Sequence, residues 1–257
     1  MKILIMNWRD VRHPRAGGAD FRLQQVYAPL VRAGHKVVLY SCSFAGASRM
    51  DSIDGIRVYR VGNDWTFAGL CLLSLRRWVR EHRPDVVVED LNKLPFYAPW
   101  VYKGPLVVQM HHLWRGSIFR ETMWPIALLI WLAEESVRWV YRGCVFSVVS
   151  PSTKGELVEM GLPEKSIEVI YNGADLEAYH PVADAKRQVL LWVGRIQRYK
   201  GPIQACQILE LLQGSFPELE LVIVGDGPYR SQVEAYAARR GLRVRFDKHL
   251  LSTSLFR

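Results

Sequence analysis

The sequence predicts an α/β protein built on two doubly wound parallel sheets, and three observations carry that prediction. Short Val- and Ile-rich runs alternate with longer helical patterns; several of the runs are apolar on both faces; and the alternation starts afresh after a short polar segment near residue 180. Strands read as continuous apolar runs when helices cover the sheet on both sides. Strand and helix in alternation connect parallel neighbours through crossovers, which is the rule of a doubly wound sheet.

The elements follow in order. KILIMNW (2–8) is a first buried strand, and its apolar run is too short for a signal peptide. Phe21, Val26, Tyr27, Leu30 and Val31 form a stripe at helical spacing, which Gly34 is placed to end. KVVLYS (36–41) and IRVYRV (56–61) are the next strands, and a helix over about Thr66–His82 stops before Pro84. DVVVED (85–90), LVVQMHH (106–112), VFSVVS (145–150) and EVIYN (168–172) complete the first set. The most apolar helix, MWPIALLIWLAEE (123–135), falls short of the ~20 residues of a membrane span. It reads as a buried domain helix, or as one lying on a membrane, because Trp124, Trp131 and Trp139 accompany Arg138 and Arg142.

Residues 180–187 are polar, contain a proline and read as a linker between a first domain, 1–179, and a second, 188–257. The second domain runs strand 188–193, helix near 202–214, strand 220–224, helix near 229–240 and strand 243–246, half of a nucleotide-binding fold. Its first strand, VLLWV, has an apolar edge for which the sequence offers no partner, so this domain reads as incomplete.

The net charge of +9 over 257 residues points to anionic partners: nucleic acid, anionic lipid or phosphorylated small molecules. No nucleic-acid-binding motif is present. Cys42, Cys71, Cys144 and Cys206 are far apart and form no CxxC pair, which fits reduced thiols in a cytosolic protein. No HExxH or Cys/His cluster appears, so no metal site is expected.

Ligands of open parallel sheets bind outside the carboxyl ends of the strands, which selects the loops that hold candidate residues. In VGRIQRYKGP, Arg195 and Lys200 flank a helix start, where backbone N–H groups and two cations suit an anion; the alternative is a solvated basic turn. In RHPRAGGAD, Gly17 and Gly18 either let a ligand approach the backbone or form a plain tight turn. Gly225 lies in GDGP, another strand-to-helix turn. His111 and His112 close one strand, where one is expected to face the site as a donor while the other packs. Asp90, with Glu89, ends another, before Asn92 and Lys93; a carboxylate there accepts a substrate hydroxyl or caps the turn. Thr153 and Glu156 have capping-box spacing. The helix LLSLRRWVREH sets Arg76, Arg77 and Arg80 beside Trp78, which reads first as a solvated helix face and otherwise as a surface that docks an anionic partner or membrane.

Together these stretches resemble the retaining glycosyltransferases of GT-B fold, in the family 4-like, group 1 set. The carriers are PRAGGAD with LVRAGHKVVLY, IDGIRVYRVG, VVVEDLNKLPFYAP, VVQMHHLW, VVSPSTKGEL, VIYNGADLEAYHP, VGRIQRYKGP and LVIVGDGP, in the family's order. The resemblance implies two Rossmann-like domains and a nucleotide-sugar donor, UDP- or GDP-linked, with no cofactor and no bound metal. It implies that Arg195 and Lys200 bind the donor diphosphate, that Gly17 and Gly18 line the site, and that His111 touches the transferred sugar. Asn172, Gly173 and Gly225 join the donor side, and Asp90 and Asn92 the side of a sugar or lipid-linked acceptor. The family's later glutamate pair and returning helix are not found, and DKHLLSTSLFR departs from its pattern, so the chain reads as truncated at its C-terminus and, on that reading, as inactive alone with weak or absent nucleotide binding. The expected location is cytoplasmic or peripheral on the inner face of the plasma membrane. The alternative to catalysis is a binding module that docks an anionic acceptor, a membrane surface or a completing subunit.

Overall fold

The computed structural model describes residues 1–92, 94–173 and 188–247, and the chain forms two compact units, Met1–Ala174 and Asp175–Arg257. The expected linker, 180–187, and the run 248–257 lie outside the described residues.

Unit 1 is one eight-stranded sheet. Its strands are β1 (Lys2–Met6), β2 (Lys36–Ser41), β3 (Met50–Ile53), β4 (Ile56–Arg60), β5 (Val86–Leu91), β6 (Leu106–Met110), β7 (Val145–Val148) and β8 (Ile167–Val169). They lie in the order β3-β4-β2-β1-β5-β6-β7-β8, parallel throughout except for the β3–β4 hairpin. β3 escaped the sequence reading because MDSI is short and half polar; it forms because Asp54 and Gly55, both at positive φ, close a tight hairpin on β4. The order reverses between β1 and β5, which makes their carboxyl ends the switch point of the sheet.

Helices α1 (Gly18–Arg32), α2 (Phe67–His82), α3 (Ala98–Val101), α4 (Trp124–Glu135), α5 (Val137–Val140) and α6 (Pro151–Glu159) complete the unit. The pleat sends alternate residues to opposite faces. Ile3, Ile5, Val37 and Leu39 pack with Leu23, Tyr27, Leu30 and Val31 of α1. Leu4, Met6, Val38 and Tyr40 pack against Phe67, Cys71, Leu75 and Trp78 of α2. The same face continues over β6 and β7, where Val108, Phe146 and Val148 meet Tyr141 and Leu157.

Three local expectations need correction. Phe21 and Val26 of the apolar stripe are exposed, and α1 instead buries Asp20 and Arg22 near its start. Trp78 is buried and stacks on Tyr40 at 3.7 Å, so it does not share the surface of Arg76, Arg77 and Arg80; such pairs contribute about 0.5–1.5 kcal/mol beyond burial. The cap of α6 is Ser150, whose hydroxyl accepts from Thr153 N–H, rather than Thr153. Thr153 is buried and turns its own hydroxyl to the His111 carbonyl.

Unit 2 holds β9 (Val189–Val193), β10 (Glu220–Val224) and β11 (Val244–Asp247), all parallel, in the order β11-β10-β9. Helices α7 (Pro202–Leu212) and α8 (Arg230–Arg239) pack through Cys206, Leu209 and Val233 onto Leu221 and Ile223. Strands laid down in one direction send both right-handed crossovers to one face. Among the described residues β9 is therefore an edge, and Leu191 and Val193 on its other face are exposed.

Candidate active site

At the switch point of unit 1, buried and half-buried polar side chains form a connected chain. Asn7, directly after β1, donates through Nδ2 to the Arg9 carbonyl (2.8 Å) and to Asp20 Oδ1 (2.9 Å). Its own Oδ1 accepts from Asn92 Nδ2 (2.8 Å), which also reaches Asp90 Oδ1 (3.1 Å). Asp90 Oδ2 lies 3.3 Å from His111 Nε2. A carboxylate only accepts, so this bond puts a ring proton on Nε2, and in the neutral ring Nδ1 keeps its lone pair. The alternation of β5 and β6 explains the meeting: Asp90 pairs with Gln109 in register, and Asn92 and His111 each follow two residues on, on the same face.

Asp20 links this chain to the glycine pair. Its Oδ2 accepts the Gly17 N–H at 2.8 Å, which satisfies the N-cap amide at the start of α1. Burial pushes its carboxyl up, against the Gly17 and Asn7 hydrogen bonds, and the nearby Asp90 charge adds to the rise. Gly17 has an extended φ of -138°, and a Cβ on Gly18 would meet nothing within 4 Å. Neither the turn nor the packing therefore demands glycine at 18. Arg22, one turn on, is buried with an Nε that has no hydrogen-bond partner among the described residues, and Gln109 Nε2 is in the same state.

The loop from Arg9 to Ala16 is braced from below. Arg60 grips Asp10 through Nε (2.7 Å) and a terminal nitrogen (3.0 Å) in a fully buried ion pair. Burial alone would raise the Asp10 carboxyl, but the Arg60 side chain and the Arg12 N–H outweigh it and hold it below the usual range. Asp64 pairs with both Arg9 and Arg15. His13, Cys42 and Asp64 each bring a potential ligand atom within 4.8 Å of the others. The Arg15 N–H donates to His13 Nδ1 at 3.0 Å, so in the neutral ring the proton sits on Nε2, and two guanidiniums flank the carboxylate. That arrangement suits a hydrogen-bonded brace rather than a cation centre.

On the opposite sheet face Glu89 is fully buried, accepting from Phe96 N–H (2.7 Å), Ala98 N–H (3.2 Å) and the Tyr141 hydroxyl (2.6 Å). Burial pushes its carboxyl up to about 7 against those donors. It points away from Asp90 and is part of the packing.

In unit 2, Arg195 and Lys200 are both exposed, on the segment that leads from β9 into α7. A 3₁₀ turn, Arg198–Lys200, ends at Gly201 with φ 72°, and Pro202 opens α7, whose first turn carries no acidic residue. The Trp192 indole N–H holds the turn through the Lys200 carbonyl at 3.3 Å. Gly225 has a local reason for being glycine: a Cβ there would come within 2.0 Å of the Gly194 carbonyl. The loops after β9 and β10 lie against each other, with Ile196 N–H bonded to Asp226 at 2.9 Å.

The structure thus joins His111, Asp90 and Asn92 in one network and reaches Gly17 through Asp20. His112, the histidine expected to pack, is instead exposed and meets Trp114 edge-on. Asn172 and Gly173 are exposed after β8, and Lys93 lies outside the described residues. The sequence reading missed Asn7, Asp20 and Arg22. A polar residue closing the apolar run ILIMN, and an acid three residues after Gly17, were the available signals.

Two parallel-sheet units, with polar groups outside the carboxyl ends of their strands, define a protein of the GT-B glycosyltransferase class. Residues 16–178 match the family Glycosyltransferase Family 4, and residues 178–250 match Glycosyl transferases group 1. The chain belongs to glycosyltransferase family 4, and it is a transferase enzyme by that membership. It is 30% identical to the glycogen synthase of Mycobacterium tuberculosis over 298 residues, covering 99% of this chain and 69% of that protein. It is 24% identical, over 89% of its length and 62% of the other's, to the GDP-mannose-dependent alpha-(1-6)-phosphatidylinositol monomannoside mannosyltransferase of Mycolicibacterium smegmatis. Among solved structures it is similar to Anabaena HepE in complex with UDP and glucose, with a TM-score of 0.66 at 19% identity, over 96% of this chain and 68% of that one.

Proposed function

We propose that the protein transfers a sugar from a UDP- or GDP-sugar to an acceptor hydroxyl with retention at the anomeric carbon, and without a metal ion. The observation that carries this reading is the exposed Arg195–Lys200 turn at the uncompensated start of α7. A departing nucleoside diphosphate gains negative charge as the C1–O bond breaks, and two fixed cations beside helix N–H groups stabilise it. The acceptor oxygen bonds to C1 from the side the diphosphate leaves, and its proton passes to a departing phosphate oxygen. In this reading His111, held by Asp90, accepts a hydrogen bond from a hydroxyl of the transferred sugar. Asp90 and Asn92 orient the acceptor, the bare backbone at Gly17 and Gly18 admits the donor, and Asn172, Gly173 and Gly225 shape the donor side. The UDP in the Anabaena relative supports a nucleotide-sugar donor. The phosphatidylinositol monomannoside named for the mycobacterial relative supports a lipid-linked acceptor, and in this reading the enzyme works in the cytoplasm at the inner membrane face.

Isothermal titration of UDP and GDP against the chain and its Arg195→Ala/Lys200→Ala variant, in chelator, tests the donor half. Binding that survives the double substitution, or that needs a divalent ion, sinks it. The anomeric configuration of the product, read by NMR, tests retention. The second reading, a binding module that docks an anionic acceptor, a membrane surface or a completing subunit, is favoured by the exposed apolar edge strand β9. It predicts vesicle or partner binding with no turnover.

A further inference from the structure

Surface helices normally bury one face and wet the other. Helix α4 does not follow that pattern. From Trp124 to Ala133 it carries no charged residue, yet within that span only Ala127 is buried. Trp124 (66% exposed), Leu129 (61%) and Leu132 (51%) occupy its outer side. Their i, i+5, i+8 spacing keeps them within an arc of about 140° on the helix.

The patch extends across two neighbouring helices. Tyr97 stacks on Trp100 of α3 at 4.4 Å, and its hydroxyl lies 3.2 Å from that of Ser136, the residue joining α4 to α5. Trp100 and Trp139 of α5 are more than half exposed. Between α3 and α5 runs a groove of about 220 Å³, walled by Pro99, Tyr102, Val140 and Cys144, with Lys103 at its side.

Cations border this surface. Arg138 lies 4.0 Å over the Trp139 ring, and Lys103 and Arg142 are exposed just after α3 and α5. The Arg76 guanidinium donates to the Val101 carbonyl at 3.2 Å, which ties the basic side of α2, with Arg77 and Arg80, to α3. Indole rings favour the headgroup level of a bilayer, and flanking cations are drawn to anionic lipid. A second copy of the same surface would bring two basic rims together.

We propose that this surface of α2 to α5 docks on an anionic lipid bilayer, with Trp100, Trp124, Leu132 and Trp139 entering the headgroup region and Arg76, Lys103 and Arg142 meeting lipid phosphates. The proposal deepens the membrane part of the reading above and depends on neither donor nor turnover. Co-sedimentation of the full chain with phosphatidylcholine vesicles, with and without phosphatidylglycerol, tests it. The chain is expected to bind the anionic vesicles and to release in high salt. Trp100→Ser/Trp139→Ser should lower binding roughly ten-fold or more. Arg76→Ser and Arg77→Ser should each lower it roughly five-fold. Unchanged melting curves confirm that the variants fold. No binding at low salt, binding indifferent to all the variants, or a dimer in sedimentation equilibrium that the Trp variants dissolve would overturn the proposal. UDP titration of the same samples separates this failure from that of the donor reading.

Discussion

The two candidate regions are built on opposite plans. In unit 1 the functional groups are buried and held by one another: Asn7 alone makes three hydrogen bonds that tie β1, α1 and the β5 loop together. In unit 2 the cations stand exposed on a turn held by its backbone, with Gly201, Pro202 and the Trp192 indole setting its course. A buried network fixes direction and tautomer before any ligand arrives, at the cost of desolvating each member. An exposed cationic turn costs little to fold and gains its order from the anion it meets. Substitutions should therefore harm stability in the first region and affinity in the second.

The largest expected effect tests the foundation of the first plan. Arg60→Met leaves Asp10 buried and unpaired, and should destabilise the protein by about 3–5 kcal/mol in chemical denaturation. Because the Asp10 carboxyl is held below its ordinary value of 3.8, its stabilisation is complete above that range and is lost as pH falls through the lower folded value. Arg60→Met should remove that acid limb. The second plan is broken if Arg195→Ala/Lys200→Ala changes the melting temperature; the expectation is a loss of UDP affinity of about 100-fold or more with stability within about 0.5 kcal/mol.

Glu89 adds a pH signature that belongs to unit 1 alone. Its ordinary value of 4.5 rises to about 7 on folding, so the folded state holds the proton more tightly. Its contribution is fully present below pH 4.5 and lost as pH rises through about 7, a swing of up to roughly 3 kcal/mol. Glu89→Gln should remove the part of that slope that extends to about pH 7, leaving the contributions of the raised Asp20 and Glu134 carboxyls. A slope that persists to about pH 7 in the variant would place the titration elsewhere.

The parallel sheets were legible because burial on both faces writes itself as Val- and Ile-rich runs such as VVVED and LVIV. Arg195 and Lys200 were legible because a glycine-ended strand before a Pro-started helix is a local pattern. Asn7, Asp20 and Arg22 were not, because their partners lie across the sheet: Asn92 is 85 residues from Asn7 in sequence. Phe21 and Val26 misled for a related reason. Helical spacing reports which residues share a face, and cannot say that the sheet beneath the start of α1 is polar. Gly225 was read as a donor-side residue, and the backbone of Gly194, which leaves no room for a side chain there, adds a local reason that the sequence did not reveal. Trp78 adjoins three arginines in sequence, which suggested a shared surface, but its stacking on Tyr40 places it inside.

The smallest effect discriminates most finely between the two plans. Asn7→Ala removes a buried side chain whose partners are the Arg9 carbonyl, Asp20 and Asn92. Groups left unsatisfied in a buried site cost about 1–3 kcal/mol, less where water enters to replace the lost amide. Asp20 keeps its bond to the Gly17 N–H, so the start of α1 holds, but Asn92 loses the partner that orients it toward Asp90. Stability should fall by that amount while UDP affinity changes less than about five-fold. The His111 ring should remain protonated on Nε2 in nitrogen-detected NMR, because the Asp90 carboxylate is still there to accept. A large loss of UDP affinity would mean that the unit 1 network supports the diphosphate as directly as the cationic turn does, and the contrast between the two regions would have to be given up.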